Sequence, residues 1–276
     1  MMDGLSASII SFLSVPIVYL WISFRNKRQD SATPQVFGFF HPYCSGGGGG
    51  ERVLWKMIQV LQSQGKSAVI YTIDPPDIDE ARLRQDAERR FDVQISQPIQ
   101  LISLEQYKDY LLPSPYLSLI LESFGTMRLA RKALKQFQPD VFCDTTGAAF
   151  TFLVARWMLP STAKILAYVH YPTISTDMML WEWQKDRVMW KTALKLVYYW
   201  TFAMAYGIVG SLSNVVMVNS TWTYNHIASL WRLSKEIHVV YPPCRVPNTT
   251  SSEDKQNQSR RNKIISIGQF RPEKVG

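Results

Sequence analysis

Cysteine and histidine are scarce in this sequence: three of one and four of the other in 276 residues. Cys44, Cys143 and Cys244 lie far apart and form no CxxC pair. An odd, sparse count excludes a disulfide scaffold and suits a reducing compartment, with each thiol read as a small buried residue. The histidines are scattered and no HExxH occurs, so neither a metal nor a cofactor is expected. No Gly-Lys-Ser/Thr follows the one glycine run, which excludes a Walker A loop. The dinucleotide fingerprint also fails: Gly46 and Gly48 fit, but its third glycine falls on Glu51. Asp74 could still hold a ribose, and that is all that remains of a nicotinamide reading. Aromatic–basic interleaving is missing, so nucleic acid is not expected as a partner. No internal repeat is evident.

Charge is absent where it matters most. Residues 5–24, "LSASIISFLSVPIVYLWISF", carry none; as a helix they span ~30 Å, the thickness of a bilayer core. A cleaved signal peptide would need a basic start and a small-residue cleavage site, and neither is there. Arg25, Lys27 and Arg28 follow the stretch, while only Asp3 precedes it. The positive-inside rule then makes residues 1–4 a lumenal tail, 5–24 a transmembrane anchor and the rest cytosolic. Three glycan acceptor patterns, at Asn219, Asn248 and Asn257, argue for the opposite side. The basic flank outweighs them.

What is present beyond the anchor is an alternation of apolar strands and helices, the pattern of a Rossmann-like parallel α/β sheet over residues 35–245. Strands are predicted at 36–40, 67–72, 99–103, 141–144, 164–168, 215–218 and 237–241, and helices at 51–64, 81–90, 116–137, 148–157 and 221–231. The glycine run joins the first strand to the first helix. A slack linker does not usually interrupt a βαβ unit, whereas bare backbone can approach a phosphate at a helix N-terminus. In an open parallel sheet the carboxyl ends of the strands share the edge where ligands bind. On that edge fall His41 and the glycines, then Asp144-Thr145-Thr146-Gly147, His170, and Asn219-Ser220. A buried, hydrogen-bonded histidine is the plain alternative for His170.

Three further stretches have weaker readings. "DPPDIDE" contains Asp77 and Asp79, read as a solvated loop rather than a cation site. Arg128, Arg131, Lys132 and Lys135 make one basic helix face, usually solvated, which suits anionic lipid on a chain of net charge +8. Residues 196–218 are uncharged and crowded with aromatics. A crossing there would put halves of one sheet on opposite sides of a bilayer, so the stretch reads as an interfacial helix or a core helix. Residues 246–262 form a polar linker, and 263–276 open a new strand and with it a second Rossmann-like domain only begun.

The motifs "FFHPYCSGGGGGERVLW", "YVHYPTISTDM", "VVMVNSTWTYNHI", "VVYPPC" and "SIGQFRPEK" resemble those of the GDP-mannose-dependent α-1,2-mannosyltransferases of the dolichol pathway, retaining enzymes of GT-B fold. The resemblance implies a transferase that adds mannose from GDP-mannose to a dolichol-diphosphate oligosaccharide at the cytosolic face of the endoplasmic reticulum membrane, beside other mannosyltransferases of the pathway. It implies that Gly46, Gly47, Gly48, Gly49 and Gly50 approach the donor diphosphate, that His170 sits near the transferred sugar, and that Lys274 balances the leaving diphosphate. Gln269 stands where many relatives have arginine, with Arg271 two residues on. His41, Asp144, Thr145, Gly147, Asn219 and Ser220 line the acceptor edge. The family continues beyond Lys274 through a whole second domain, so the resemblance implies a truncated chain, inactive alone. The alternative is a non-catalytic, membrane-anchored acceptor-binding form.

Overall fold

The computed structural model describes residues 36–114, 117–175, 189–232 and 236–244. The chain divides into two compact units, Met1–Pro243 and Cys244–Gly276; beyond Cys244 the second unit lies outside the described residues, as do the expected anchor, the 246–262 linker, Lys274 and Arg271. The first unit is built on seven strands: β1 (Val36–Phe40), β2 (Ser67–Thr72), β3 (Gln100–Ser103), β4 (Val141–Asp144), β5 (Lys164–Val169), β6 (Val215–Val218) and β7 (Ile237–Val239). All are parallel, in the order β3-β2-β1-β4-β5-β6-β7. The chain starts in the middle, winds outward to β3, and returns to place β4 on the other side of β1. That reversal makes a topological switch point between β1 and β4, where Phe40 pairs with Asp144.

The strands read as continuous apolar runs because both faces of the sheet are covered. Successive side chains point to opposite faces. Phe39, Ile70 and Cys143 join one core with Leu54, Trp55 and Ile58 of α1 (Gly49–Ser63) and with Leu83 and Ala87 of α2 (Glu80–Phe91). Phe40, Tyr71 and Phe142 join the other. There they meet α3 (Ser118–Gln136), α4 (Thr151–Met158), α5 (Met189–Gly210) and α6 (Thr221–Leu230).

Element ends depart from the sequence reading where backbone chemistry intervenes. Helix α1 begins two residues earlier than expected, so Gly49 and Gly50 form its first turn and Gly48 its N-cap. Helix α4 begins three residues later, because Gly147 takes φ +81° and the next residues close a turn back onto its carbonyl. A 3-10 helix, Glu105–Leu111, was not expected at all.

The largest correction concerns residues 196–218. Helix α5 ends at Gly210, and Val215–Val218 is strand β6, inside the sheet. The missing charge reflects two buried elements in succession. On α5, Phe202, Ala203, Tyr206 and Val209 pack into the core, while Leu194, Val197, Trp200 and Met204 are exposed on the opposite side. The core reading describes one face of this helix, and the opposite face is exposed and apolar. Among the described residues no helix is long and apolar enough to cross a membrane.

One buried cation holds the second half of the sheet together. Arg156 on α4 donates to the carbonyls of Leu212 (2.7 Å) and Ala163 (3.1 Å) and to Asn214 Oδ1 (2.6 Å). Burial alone lowers its pKa to about 10.

Candidate functional site

The glycine run is fixed from three sides by side chains of its own βαβ unit. From the end of β2, the buried carboxylate of Asp74 accepts the backbone N–H groups of Cys44 (2.9 Å) and Ser45 (3.2 Å) and the Ser45 hydroxyl (2.6 Å). Thr72 Oγ1 lies 2.8 Å from the same carboxylate. Asp74 is thus spent on the loop, and the ribose role considered for it is displaced by these bonds. From the last turn of α2, the Arg90 guanidinium packs against Gly47 and donates to the Ser45 carbonyl at 3.3 Å. From the first turn of α1, Glu51 Oε2 accepts the Gly48 N–H at 2.7 Å, one half of a capping box, since glycine has no side chain to supply the other.

The five glycines are not equivalent. Gly47 sits at φ +78°, a left-handed conformation that only glycine adopts cheaply. A β-carbon on Gly46 or Gly48 would stand 2.8 or 2.9 Å from a Glu51 carboxylate oxygen. Gly49 has nothing within 4 Å, and at Gly50 the nearest atom, His170 Nε2, would lie at an ordinary 3.6 Å. Both are in the first helical turn, where backbone N–H groups have no intrahelical partner and the helix dipole favours an anion. Here the fold does not demand glycine.

At the switch point, His41 is buried and its Nδ1 lies 2.6 Å from Thr145 Oγ1. Its Nε2 faces Glu51 Oε1 at 3.7 Å. The His41 imidazole beside it holds the Glu51 carboxyl below its ordinary value. His170 follows β5, its half-buried ring 4.8 Å from that of Tyr168. Its Nε2 is shut off from solvent with no hydrogen-bond partner. Burial, then the neighbouring His41, pushes its pKa down. The plain alternative, a satisfied core histidine, does not describe that nitrogen.

Next to this pair, Asp144 is completely buried at the end of β4. Its Oδ1 accepts the Thr146 N–H (3.0 Å) and hydroxyl (2.7 Å), while Oδ2 has no partner. Burial pushes its carboxyl pKa up. Gly147 lines a cleft of ≈ 320 Å³ together with Tyr43, Leu111, Leu119, Glu122 and Phe150. The cleft is mostly apolar, with hydroxyls from Ser123, Thr126 and Thr173 at its wall.

The structure therefore brings His41, Gly46, Gly47, Gly48, Gly49, Gly50, Thr145 and His170 together, with Asp144 and Gly147 alongside. Asn219 and Ser220 have local work instead. Ser220 Oγ accepts the Thr223 N–H at 3.2 Å as the N-cap of α6, and Asn219 Oδ1 accepts the Thr223 hydroxyl at 2.6 Å. Asp79 likewise caps α2 through the Arg82 N–H, and Asp77 pairs with the Arg82 side chain at 3.5 Å, so the acidic pair belongs to a turn. Of the thiols, Cys44 and Cys143 are buried as expected, but Cys244 is exposed. Arg90 and the second oxygen of Glu51 were missed in the sequence. Only the spacing from Gly48 to Glu51 carried a signal for either.

These features define a doubly wound α/β domain with a glycine-lined, histidine-bearing edge at its switch point. The sequence model of a family described as "ALG11 mannosyltransferase N-terminus" matches residues 34–231, and the chain belongs to that family. It is 40% identical over 276 residues to "GDP-Man:Man(3)GlcNAc(2)-PP-Dol alpha-1,2-mannosyltransferase" of Xenopus tropicalis, covering 92% of this chain and 56% of the relative. With the Homo sapiens protein of the same name it shares 40% over 265 residues, 90% and 53% of the two chains. The chain thus spans about half the length of the curated relatives it matches. Among solved structures it is similar to a lipopolysaccharide outer core galactosyltransferase, WaaB, with TM-score 0.46 and 15% identity over 78% of this chain and 47% of that one.

Proposed function

We propose that the chain is the acceptor-side half of a mannosyltransferase that moves mannose from GDP-mannose to a dolichol-diphosphate-linked oligosaccharide in α-1,2 linkage. The observation that carries this reading is the family match combined with the unpartnered Nε2 of His170 facing the first turn of the glycine helix. In the transfer, the bond between mannose C1 and the diphosphate oxygen breaks, C1 bonds to an acceptor hydroxyl oxygen, and that hydroxyl's proton leaves with GDP as the second product. The N–H groups of Gly49 and Gly50, with the helix dipole, face the diphosphate and stabilise the charge it gains. On the resemblance alone, Lys274 and Arg271 are assigned to balancing the charge on a leaving diphosphate. His170, held neutral by burial, contacts the transferred sugar. The acceptor lies along His41, Asp144, Thr145 and Gly147.

The body works at the cytosolic face of the endoplasmic reticulum membrane, tethered by the apolar stretch at residues 5–24. The exposed Leu194, Val197, Trp200 and Met204 of α5 support a second, interfacial contact with that membrane. Membranes containing the chain, given labelled GDP-mannose and the acceptor lipid, test the proposal. Lipid elongated by one mannose is expected when the chain is supplied with a relative's second domain, and unchanged acceptor from the chain alone; unchanged acceptor in both would overturn the reading.

A further inference from the structure

Glu51 already has a sufficient structural reason to exist, since one carboxylate oxygen caps the helix at Gly48. Its other oxygen is the unusual one. Instead of facing solvent, Oε1 turns under the loop toward His41 Nε2 at 3.7 Å, and the side chain is only 15% exposed. The same oxygen lies where a β-carbon on Gly46 would come within 2.8 Å. On the other side of the ring, Nδ1 lies 2.6 Å from Thr145 Oγ1, so the imidazole is held between Thr145 and Glu51. His41 in turn stands beside His170: a β-carbon on Gly50 would contact His170 Nε2 at 3.6 Å and His41 Cε1 at 3.9 Å. The groups that face a ligand therefore come from two separate segments, the turn after β1 and the end of β5. Gly50 and His41 stand beside His170 where these two segments meet.

We propose that Glu51 is a positioning residue: by holding Gly48 with one oxygen and His41 with the other, it fixes the glycine loop and the two histidines in a single geometry. The Gly48 N–H is consumed in this tie, so the N–H groups turned to a ligand are those of Gly49 and Gly50. A carboxylate is needed rather than a hydroxyl cap, because two acceptors must act at once in different directions. The consequence for catalysis rests on the mannosyl-transfer reading above; the tie itself does not.

The test uses the whole chain in lipid nanodiscs, as wild type and as Glu51→Gln and Glu51→Ala. NMR of the Gly48 amide and the His41 imidazole, with a melting curve for each variant, requires no substrate. Glu51→Ala should stay folded, lose exchange protection at Gly48 and move the His41 signals. Glu51→Gln should restore Gly48, because its amide oxygen still accepts. In the transfer assay, Glu51→Ala should raise KM for GDP-mannose about tenfold with a smaller fall in kcat, and Glu51→Gln should recover only the part that depends on Gly48, with the His41 signals still shifted. Wild-type signals at both Gly48 and His41 in Glu51→Ala would overturn the proposal, as would equal damage by Gln and Ala. A wild-type chain that transfers nothing even when supplied with a second domain counts against the proposed function alone, and the NMR signals then decide the role of Glu51.

Discussion

His170 Nε2 faces Gly50 across a gap that one carbon atom would fill: a β-carbon there would lie 3.6 Å from the nitrogen. The nitrogen is buried and unpaired. Leaving such a group without a partner costs about 1–3 kcal/mol in an ordinary core, which marks this position as one kept open for something else.

Its protonation gives a signed pH prediction. His170 starts from an ordinary value of 6.5 and is pushed below it, by burial first and by His41 second, with Glu51 opposing. The native state therefore binds a proton less readily than the unfolded chain. Whatever stability neutral His170 contributes is present above pH 6.5 and declines as pH falls through the window below it. Transfer should follow the same course, level above pH 6.5 and falling in acid. A rate profile that rises toward acid would show that the imidazolium is the working form.

Arg156 yields a stability prediction remote from the edge. Arg156→Ala strands the carbonyls of Leu212 and Ala163 in the interior, while Asn214 Oδ1 keeps the Ile165 N–H at 2.8 Å. The cost should be on the order of 3 kcal/mol, with the unfolding midpoint in urea lowered accordingly. A shift below about 0.5 kcal/mol would mean that water satisfies these groups.

Asp144→Asn separates stability from function. The buried carboxylate has one oxygen with no partner, so an uncharged amide removes a desolvation cost. The unfolding midpoint at neutral pH should hold or rise, while transfer falls because the free acceptor oxygen is gone. Lost stability together with intact transfer would reverse this assignment of Asp144.

The outer face of α5 offers a test of membrane contact. Val197 and Trp200 are 60% and 55% exposed, so Val197→Glu with Trp200→Glu should leave the fold intact. Vesicle flotation of the chain lacking residues 1–28 should then show lost binding. Unchanged flotation would remove α5 from the interface.

Much of this architecture was legible in the sequence because apolar alternation and strand-end polarity are local signals. All seven strands fall where the pattern puts them, within two residues at each end. The glycine run, His41 and His170 were visible as strand-end residues, and the parallel order brings them to one edge. What was hidden depends on packing across the fold. Arg90 reaches the loop from a helix more than forty residues on, and nothing in its surroundings in sequence signals that. The uncharged run at 196–218 reads as one stretch because a helix with one buried face and the strand after it are both apolar, though Gly210, Ser211, Ser213 and Asn214 mark the turn between them. Ser220 looked like a site residue and is a helix cap, since the same hydroxyl serves both purposes.

The central claim is that Gly49 and Gly50 are bare for a ligand rather than for the fold, and Gly49 isolates it. Gly48→Val is a poor probe, since its β-carbon would press on Glu51 at 2.9 Å. At Gly49 nothing lies within 4 Å, so Gly49→Ala should leave stability equal or raise it by up to about 1 kcal/mol. The decisive measurement is GDP-mannose affinity and transfer for Gly49→Ala and Gly49→Val beside their melting temperatures. The account predicts folded variants with donor binding weakened about tenfold or more, valine worse than alanine. Variants that fold and bind GDP-mannose as the wild type does would contradict it.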